Sequence, residues 1–220
     1  MEITWYGLGC IRLAERGFPT VVIDPFDEET AGLRLPRGGV DVVLSSLLVD
    51  DVHDLRWIGL ESVGRTLASP GEYEIGGVFI TGVASPRAAG DPTVALDNIV
   101  YTVTMGGVVV CHLGELGRAL THAQIEAIGR VDVLLFPVGI EVGLTMTMAS
   151  ETVSLIEPNV VVPIQFATPD LRVNRTSVEA FLKEMGVTNP TSAPALKVAA
   201  GEELEETRVL LLEPVVERRF

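Results

Sequence analysis

The residue pattern predicts an α/β fold, a four-layer αββα sandwich in which two mixed β-sheets pack face to face with helices outside. Three observations carry this prediction. The first half reads as strands, the second half alternates strand and helix, and strands outnumber helices throughout. With 220 residues, 47% of them hydrophobic, the chain can bury a sizeable core and is too apolar to stay disordered. No Pro/Ser-rich linker or charge block divides it, so residues 1–220 are read as a single domain.

Taken in order, Ile3-Thr4-Trp5-Tyr6 is β-branched and aromatic and stops at Gly7. Cys10–Ala14 and Thr20–Asp24 follow as strands, separated by the hairpin-length turn Glu15-Arg16-Gly17. Val42-Val43-Leu44 is a short continuous apolar run, the mark of a strand buried on both faces. Val78–Val83 and Ile99–Met105 continue the pattern, and Gly106-Gly107 turns into Val108–Cys111 as a further hairpin. Thr121 and Gln124 stand at capping-box spacing, ahead of a helix ending near Gly129. Val131–Pro137 is then a buried strand. Residues Ser150–Glu157 read as a helix that Pro158 stops, before the strand Val160–Ile164. Thr176-Ser177-Val178-Glu179 has the spacing of a second capping box, with Gly186 suited to the position just past that helix. Leu196–Val198 and Arg208–Leu212 close the chain as strands. Met146 and Met148 read as gap-filling core residues near a helix start.

Composition narrows the function classes. Thirty Asp and Glu against sixteen Lys and Arg give a net charge of −14, a surface that repels phosphate backbones and anionic lipid. Nucleic acid and membrane are therefore excluded as expected partners. A small molecule in a cleft and a second copy of the chain remain. Apolar runs such as Ile99–Val110 are broken by Thr and Gly and fall short of the ~18 residues a spanning helix needs. The start lacks a basic segment followed by an apolar one, and only Cys10 and Cys111 are present, so a reducing, cytoplasmic setting is expected. There is no Gly-x-Ser-x-Gly elbow. Gly7-Leu8-Gly9 lacks the third glycine of a dinucleotide loop, and no phosphate-loop lysine follows it.

Seven segments occur in an order that resembles the metallo-β-lactamase superfamily, in particular its lactonase-like metal-dependent hydrolases. They are Ile3–Gly7, Ile23-Asp24-Pro25-Phe26, Asp41–Ser46, Pro70–Phe79, Cys111–Gly117, Val131–Gly139 and Val161–Ile164. The resemblance implies the same sandwich fold, with a cleft at the edge of the two sheets. In enzymes of this family a His-x-His-x-Asp-His signature holds one or two divalent metals. These lower the pKa of a bound water towards ~7 and supply hydroxide.

Here the signature falls on Leu47-Leu48-Val49-Asp50-Asp51-Val52. Its three histidine positions are Leu47, Val49 and Val52, and only Asp51 survives. A later loop histidine corresponds to Arg87, the bridging aspartate to Glu115, the last histidine to Gln165, and the histidine of Trp-Tyr-Gly-His to Leu8. The resemblance thus implies a degenerate cleft lined by Leu8, Leu47, Val49, Asp51, Val52, Arg87, His112, Glu115 and Gln165. No catalytic residue and no metal are expected there, and the role is binding or assembly. The alternative is a hydrolase of lactone or phosphoester type, with one divalent metal at Asp51, His53, His112 and Glu115. Losing metal from a pocket that keeps Asp51 and Glu115 would strand buried carboxylates. A guanidinium, that of Arg87, is expected to fork across one of them and stand in for the cation. His112 reads as a hydrogen-bonding residue of a strand-to-loop turn, Asp24 as the cap of a turn before Pro25, and both cysteines as core residues.

Overall fold

The computed structural model describes residues 1–47, 60, 62–86, 98–141, 143–201 and 206–215. Two mixed sheets form the predicted sandwich. The first has six strands, β1 (Glu2–Gly7), β2 (Cys10–Ala14), β3 (Val21–Ile23), β4 (Gly39–Leu44), β5 (Ser62–Leu67) and β13 (Leu196–Lys197), in the order β13-β1-β2-β3-β4-β5. The second has eight, β6 (Gly71–Ile75), β7 (Val78–Ser85), β8 (Asn98–Met105), β9 (Val108–His112), β10 (Val133–Pro137), β11 (Val160–Ile164), β12 (Thr191–Ala193) and β14 (Arg208–Leu212), in the order β12-β14-β11-β10-β9-β8-β7-β6. Both hairpins expected from the turns at 15–17 and 106–107 are present, as β2/β3 and β8/β9. Strands β3, β4 and β5 run parallel, as do β9, β10, β11 and β14.

The main core lies between the sheets. Ile3, Trp5, Ile11, Leu13 and Leu44 of one face meet Ile80, Tyr101, Val110, Leu135 and Val162 of the other. Burying such side chains contributes roughly 1.5–3 kcal/mol each. The outer face of the eight-stranded sheet (Val100, Cys111, Leu134, Phe136, Val161) packs under helices α2 (His122–Ile128), α3 (Met146–Ile156) and α4 (Glu179–Glu184). On the outer face of the six-stranded sheet, Cys10, Val22, Val40 and Val43 cluster with Leu35, with Phe26 and Leu60 packed alongside. Burial holds both cysteine thiols well above their usual range, as suits small core residues. No helix among the described residues is long and apolar enough to cross a membrane.

Helix signals were honoured unevenly. Thr121 caps α2 with a full capping box, and Gly129 follows at its end. Helix α3 begins at Met146, four residues before the sequence expectation. Thr145 supplies its N-cap by accepting from the Met148 amide, so both methionines lie inside the helix. The box expected at Thr176 does not form. Val178 is the N-cap of α4 without a side-chain bond, because the Thr176 backbone pairs with Gly139 and Ala167 instead. The short helix α1 (Glu28–Ala31), capped by Asp27, and the strands β5, β6 and β12 carried too little periodicity to be predicted.

Candidate functional site

The carboxyl ends of β3, β4, β9 and β11, with the β1–β2 turn, meet at one edge of the sandwich. This is where α/β folds place their ligand crevices. A cleft of about 170 Å³ lies there, lined by Leu8, Gly9, Asp24, Pro25, Phe26, Ser45, Ser46, Leu47, Glu115, Gln165 and Arg175. A larger depression of about 640 Å³ along β1, β2 and β13 takes in none of the residues that the sequence singled out.

The six-stranded sheet supplies one wall. Asp24, immediately after β3, accepts from the Ser46 amide and the Ser46 hydroxyl, both at 2.6 Å. Burial raises its carboxyl above the usual carboxylate range, although the nearby His112 ring and the two Ser46 bonds pull the other way. Leu8 and Leu47 fill this wall with aliphatic surface, and Leu47 keeps 37% of its surface exposed at the mouth.

The eight-stranded sheet supplies the other wall. His112, fully buried at the end of β9, is held at both ring nitrogens. Its Nε2 lies 2.9 Å from the Gly9 carbonyl, and its Nδ1 accepts from the Gly114 amide at 3.0 Å. A carbonyl partner takes a proton from Nε2 and an amide partner takes the lone pair of Nδ1, so both ring nitrogens are engaged by backbone groups. Asp24 Oδ2, 3.9 Å from Nδ1, is too far to compete. His112 is therefore a tie between the two sheets, as its turn position suggested. Beside it, the Asn98 carboxamide accepts from the Glu115 amide at 2.8 Å and donates to the Leu113 carbonyl at 3.0 Å, fixing the loop that carries Glu115.

Gln165 follows β11, and its amide donates to the Leu8 carbonyl at 3.0 Å, a second tie across the edge. Its side-chain oxygen accepts from Arg175 Nε and Nη2, each at 3.2 Å. Arg175 Nη2 also lies 3.6 Å from Glu115 Oε1, and Nη1 donates to the Asn174 carbonyl at 2.9 Å. The guanidinium thus joins two positions that the family resemblance assigned to metal ligands. A guanidinium, that of Arg175, thus stands at this edge; the expected Arg87 lies outside the described residues. Sequence reasoning did not single out Arg175, which sits on a loop ten residues beyond Gln165.

Val49, Asp51, Val52, His53 and Arg87 lie outside the described residues. Within the described residues, no three His, Cys, Asp or Glu side chains converge as a metal cage. His112 has no free nitrogen, Leu8 and Leu47 offer no donor, and Glu115 and Gln165 face a guanidinium. A catalytic zinc needs three protein ligands and an open position. The described donor set does not fit one.

Backbone strain gathers at the same place. Leu8 (φ 47°), Asp24 (φ 47°) and Gln165 (φ 65°) are three of the four non-glycine residues in left-handed conformation among the described residues. Asp tolerates that region, whereas Leu and Gln persist in it at a cost of order 1 kcal/mol or more each.

The model of the β-lactamase superfamily domain matches residues 2–165. The chain belongs to this superfamily. It is 32% identical to a protein of Thermotoga maritima described as a Zn-dependent hydrolase of the metallo-β-lactamase superfamily. That match covers 96% of this chain and 99% of the other, with a TM-score of 0.74. A UPF0173 protein of Pyrococcus furiosus is 27% identical over 84% of this chain and 90% of its own length. A UPF0173 metal-dependent hydrolase of Methanoregula boonei is 28% identical over 76% and 83%.

Proposed function

We propose that this member of the superfamily has exchanged metal-dependent hydrolysis for binding, with Arg175 serving as the resident cation of its cleft. The observation that carries the reading is the Arg175 guanidinium between Gln165 Oε1 and Glu115, at positions where hydrolases of this family hold metal. A carboxylate and a carboxamide oxygen left facing each other at a cleft floor need a positive partner, and a fixed guanidinium meets that need without hydroxide chemistry. Two further features support it. His112 spends both nitrogens on backbone groups. Strain also persists at Leu8 and Gln165, which argues for a cleft kept in shape for use.

The test is metal content. The chain, purified without chelator or affinity-tag metal, is incubated with zinc, manganese and iron, desalted and measured by ICP mass spectrometry. Less than about a tenth of an equivalent is expected. Close to one equivalent, lost in Glu115→Ala, would replace this reading by that of a metal-dependent hydrolase, to be screened on lactones and phosphodiesters.

A further inference from the structure

The geometry points to a small neutral carboxamide with an apolar body as the ligand of this cleft: Gln165 Nε2 donates to its carbonyl, and the Asp24 carboxyl accepts from its N–H. This deepens the binding reading above and rests on it, and it leaves Arg175 where it stands.

Gln165 supplies the first observation. It is only 4% exposed, yet it lines the cleft. Its Oε1 accepts from Arg175 Nε and Nη2, each at 3.2 Å, and Arg175 Nη1 is itself anchored on the Asn174 carbonyl at 2.9 Å. A guanidinium only donates, so these contacts fix which end of the carboxamide is which. Nε2 is turned the other way, towards Gly9, and has no hydrogen-bond partner among the described residues. A rigidly held, nearly enclosed donor of this kind calls for an acceptor.

Gly9 supplies the second. A β-carbon at position 9 would stand 3.0 Å from Gln165 Nε2 and 3.1 Å from Asp24 Oδ2. The open donor and a carboxyl oxygen therefore border one gap, which the absence of a side chain at Gly9 keeps clear. Asp24 Oδ2 accepts from the Ser46 hydroxyl at 2.6 Å and retains a second lone pair. His112 Nδ1, at 3.9 Å, is too far to take it. A donor beside an acceptor matches the carbonyl and the N–H that a primary amide presents along one edge.

The surroundings supply the third. Leu8, Pro25, Phe26 and Leu47 give an apolar wall for a hydrocarbon body, and about 170 Å³ suits a small molecule. Other head groups match less well. A carboxylate would set a second oxyanion against Asp24. An ammonium would leave the Gln165 donor without an acceptor, and a tertiary amide would offer Asp24 no proton.

The test titrates the full, isotope-labelled chain with benzamide, and separately with N,N-dimethylbenzamide, benzoate and zinc, for wild type, Q165E and G9A. The side-chain NH2 pair of Gln165 and the backbone amides of Gly9 and Ser46 are followed by NMR. Q165E keeps an acceptor for Arg175 and removes only the donor, whereas G9A fills the gap. Benzamide is expected to shift all three signals of wild type and to bind both variants at least about tenfold more weakly. N,N-dimethylbenzamide and benzoate are expected to bind wild type weaker than benzamide by a similar factor. The proposal is overturned if benzamide does not bind wild type, if either analogue matches it, or if Q165E binds it equally well. Should the variants fail to fold, wild type decides: backbone amides that move while the Gln165 NH2 pair stays in place overturn it. The zinc arm reports separately, because stoichiometric zinc binding by wild type would sink the non-metal reading whatever benzamide does.

Discussion

The two walls of the cleft differ in how they carry polar groups. On the six-stranded sheet the positions that the resemblance matches to imidazoles are aliphatic at Leu8 and Leu47, and the Asp24 carboxylate is held by Ser46. On the eight-stranded sheet the side chains are polar and meet a guanidinium, with Gln165 and Glu115 facing Arg175. One wall presents mostly apolar surface around a hydrogen-bonded carboxylate, and the other joins its acceptors to a cation of the same chain. The comparison teaches that a cleft wall calls for a cation only where acidic or acceptor groups line it.

The largest effect is expected at the tie between the walls. His112→Ala orphans the Gly9 carbonyl and the Gly114 amide in a buried setting, at about 2–4 kcal/mol. Urea unfolding measures it. A loss under about 1 kcal/mol would mean that the walls do not depend on the imidazole.

Asp24 tests the apolar wall by pH. Burial raises its folded pKa above the unfolded value of 3.8. The folded chain therefore holds this proton more tightly, and the group's contribution to stability falls as pH rises from about 3.8 through the folded pKa. Asp24→Asn should remove that slope from urea midpoints measured across this window. An unchanged slope would show that Asp24 titrates as an ordinary carboxylate.

Arg175→Ala probes the polar wall. With both side chains of the ion pair about a fifth exposed, a cost of roughly 1 kcal/mol is expected. Arg175→Lys should recover only part of it, because an ammonium cannot reproduce the forked contact with Gln165. Full recovery by Lys would reduce the guanidinium's role to that of a point charge.

The smallest effect is expected at Leu8. Glycine there relieves the φ of 47° but gives up apolar contact, so Leu8→Gly should change stability by no more than about 0.5 kcal/mol either way. A clear loss would show that the aliphatic wall is held by packing.

Local chemistry was legible wherever both partners are close in sequence. The Thr121–Gln124 box and the two hairpins form as read, because each closes on itself. The same box spacing at Thr176 failed because Gly139 and Ala167, distant in sequence, claimed its backbone first. Of the cleft, the residues at Leu8, Leu47, Glu115 and Gln165 were readable by position, whereas the arginine that faces Gln165 and Glu115 was not.

By itself, then, the sequence determined the sandwich, through alternation and continuous apolar runs that need only a buried face to fulfil them. It also determined that aliphatic and carboxamide side chains stand at positions that the resemblance matches to imidazoles. Tertiary structure alone decided that Arg175 faces Gln165 and Glu115, and that His112 has no nitrogen to spare. Both outcomes depend on contacts between the two sheets and a distant loop. Such contacts are set by how strand ends meet in space, which no local spacing encodes.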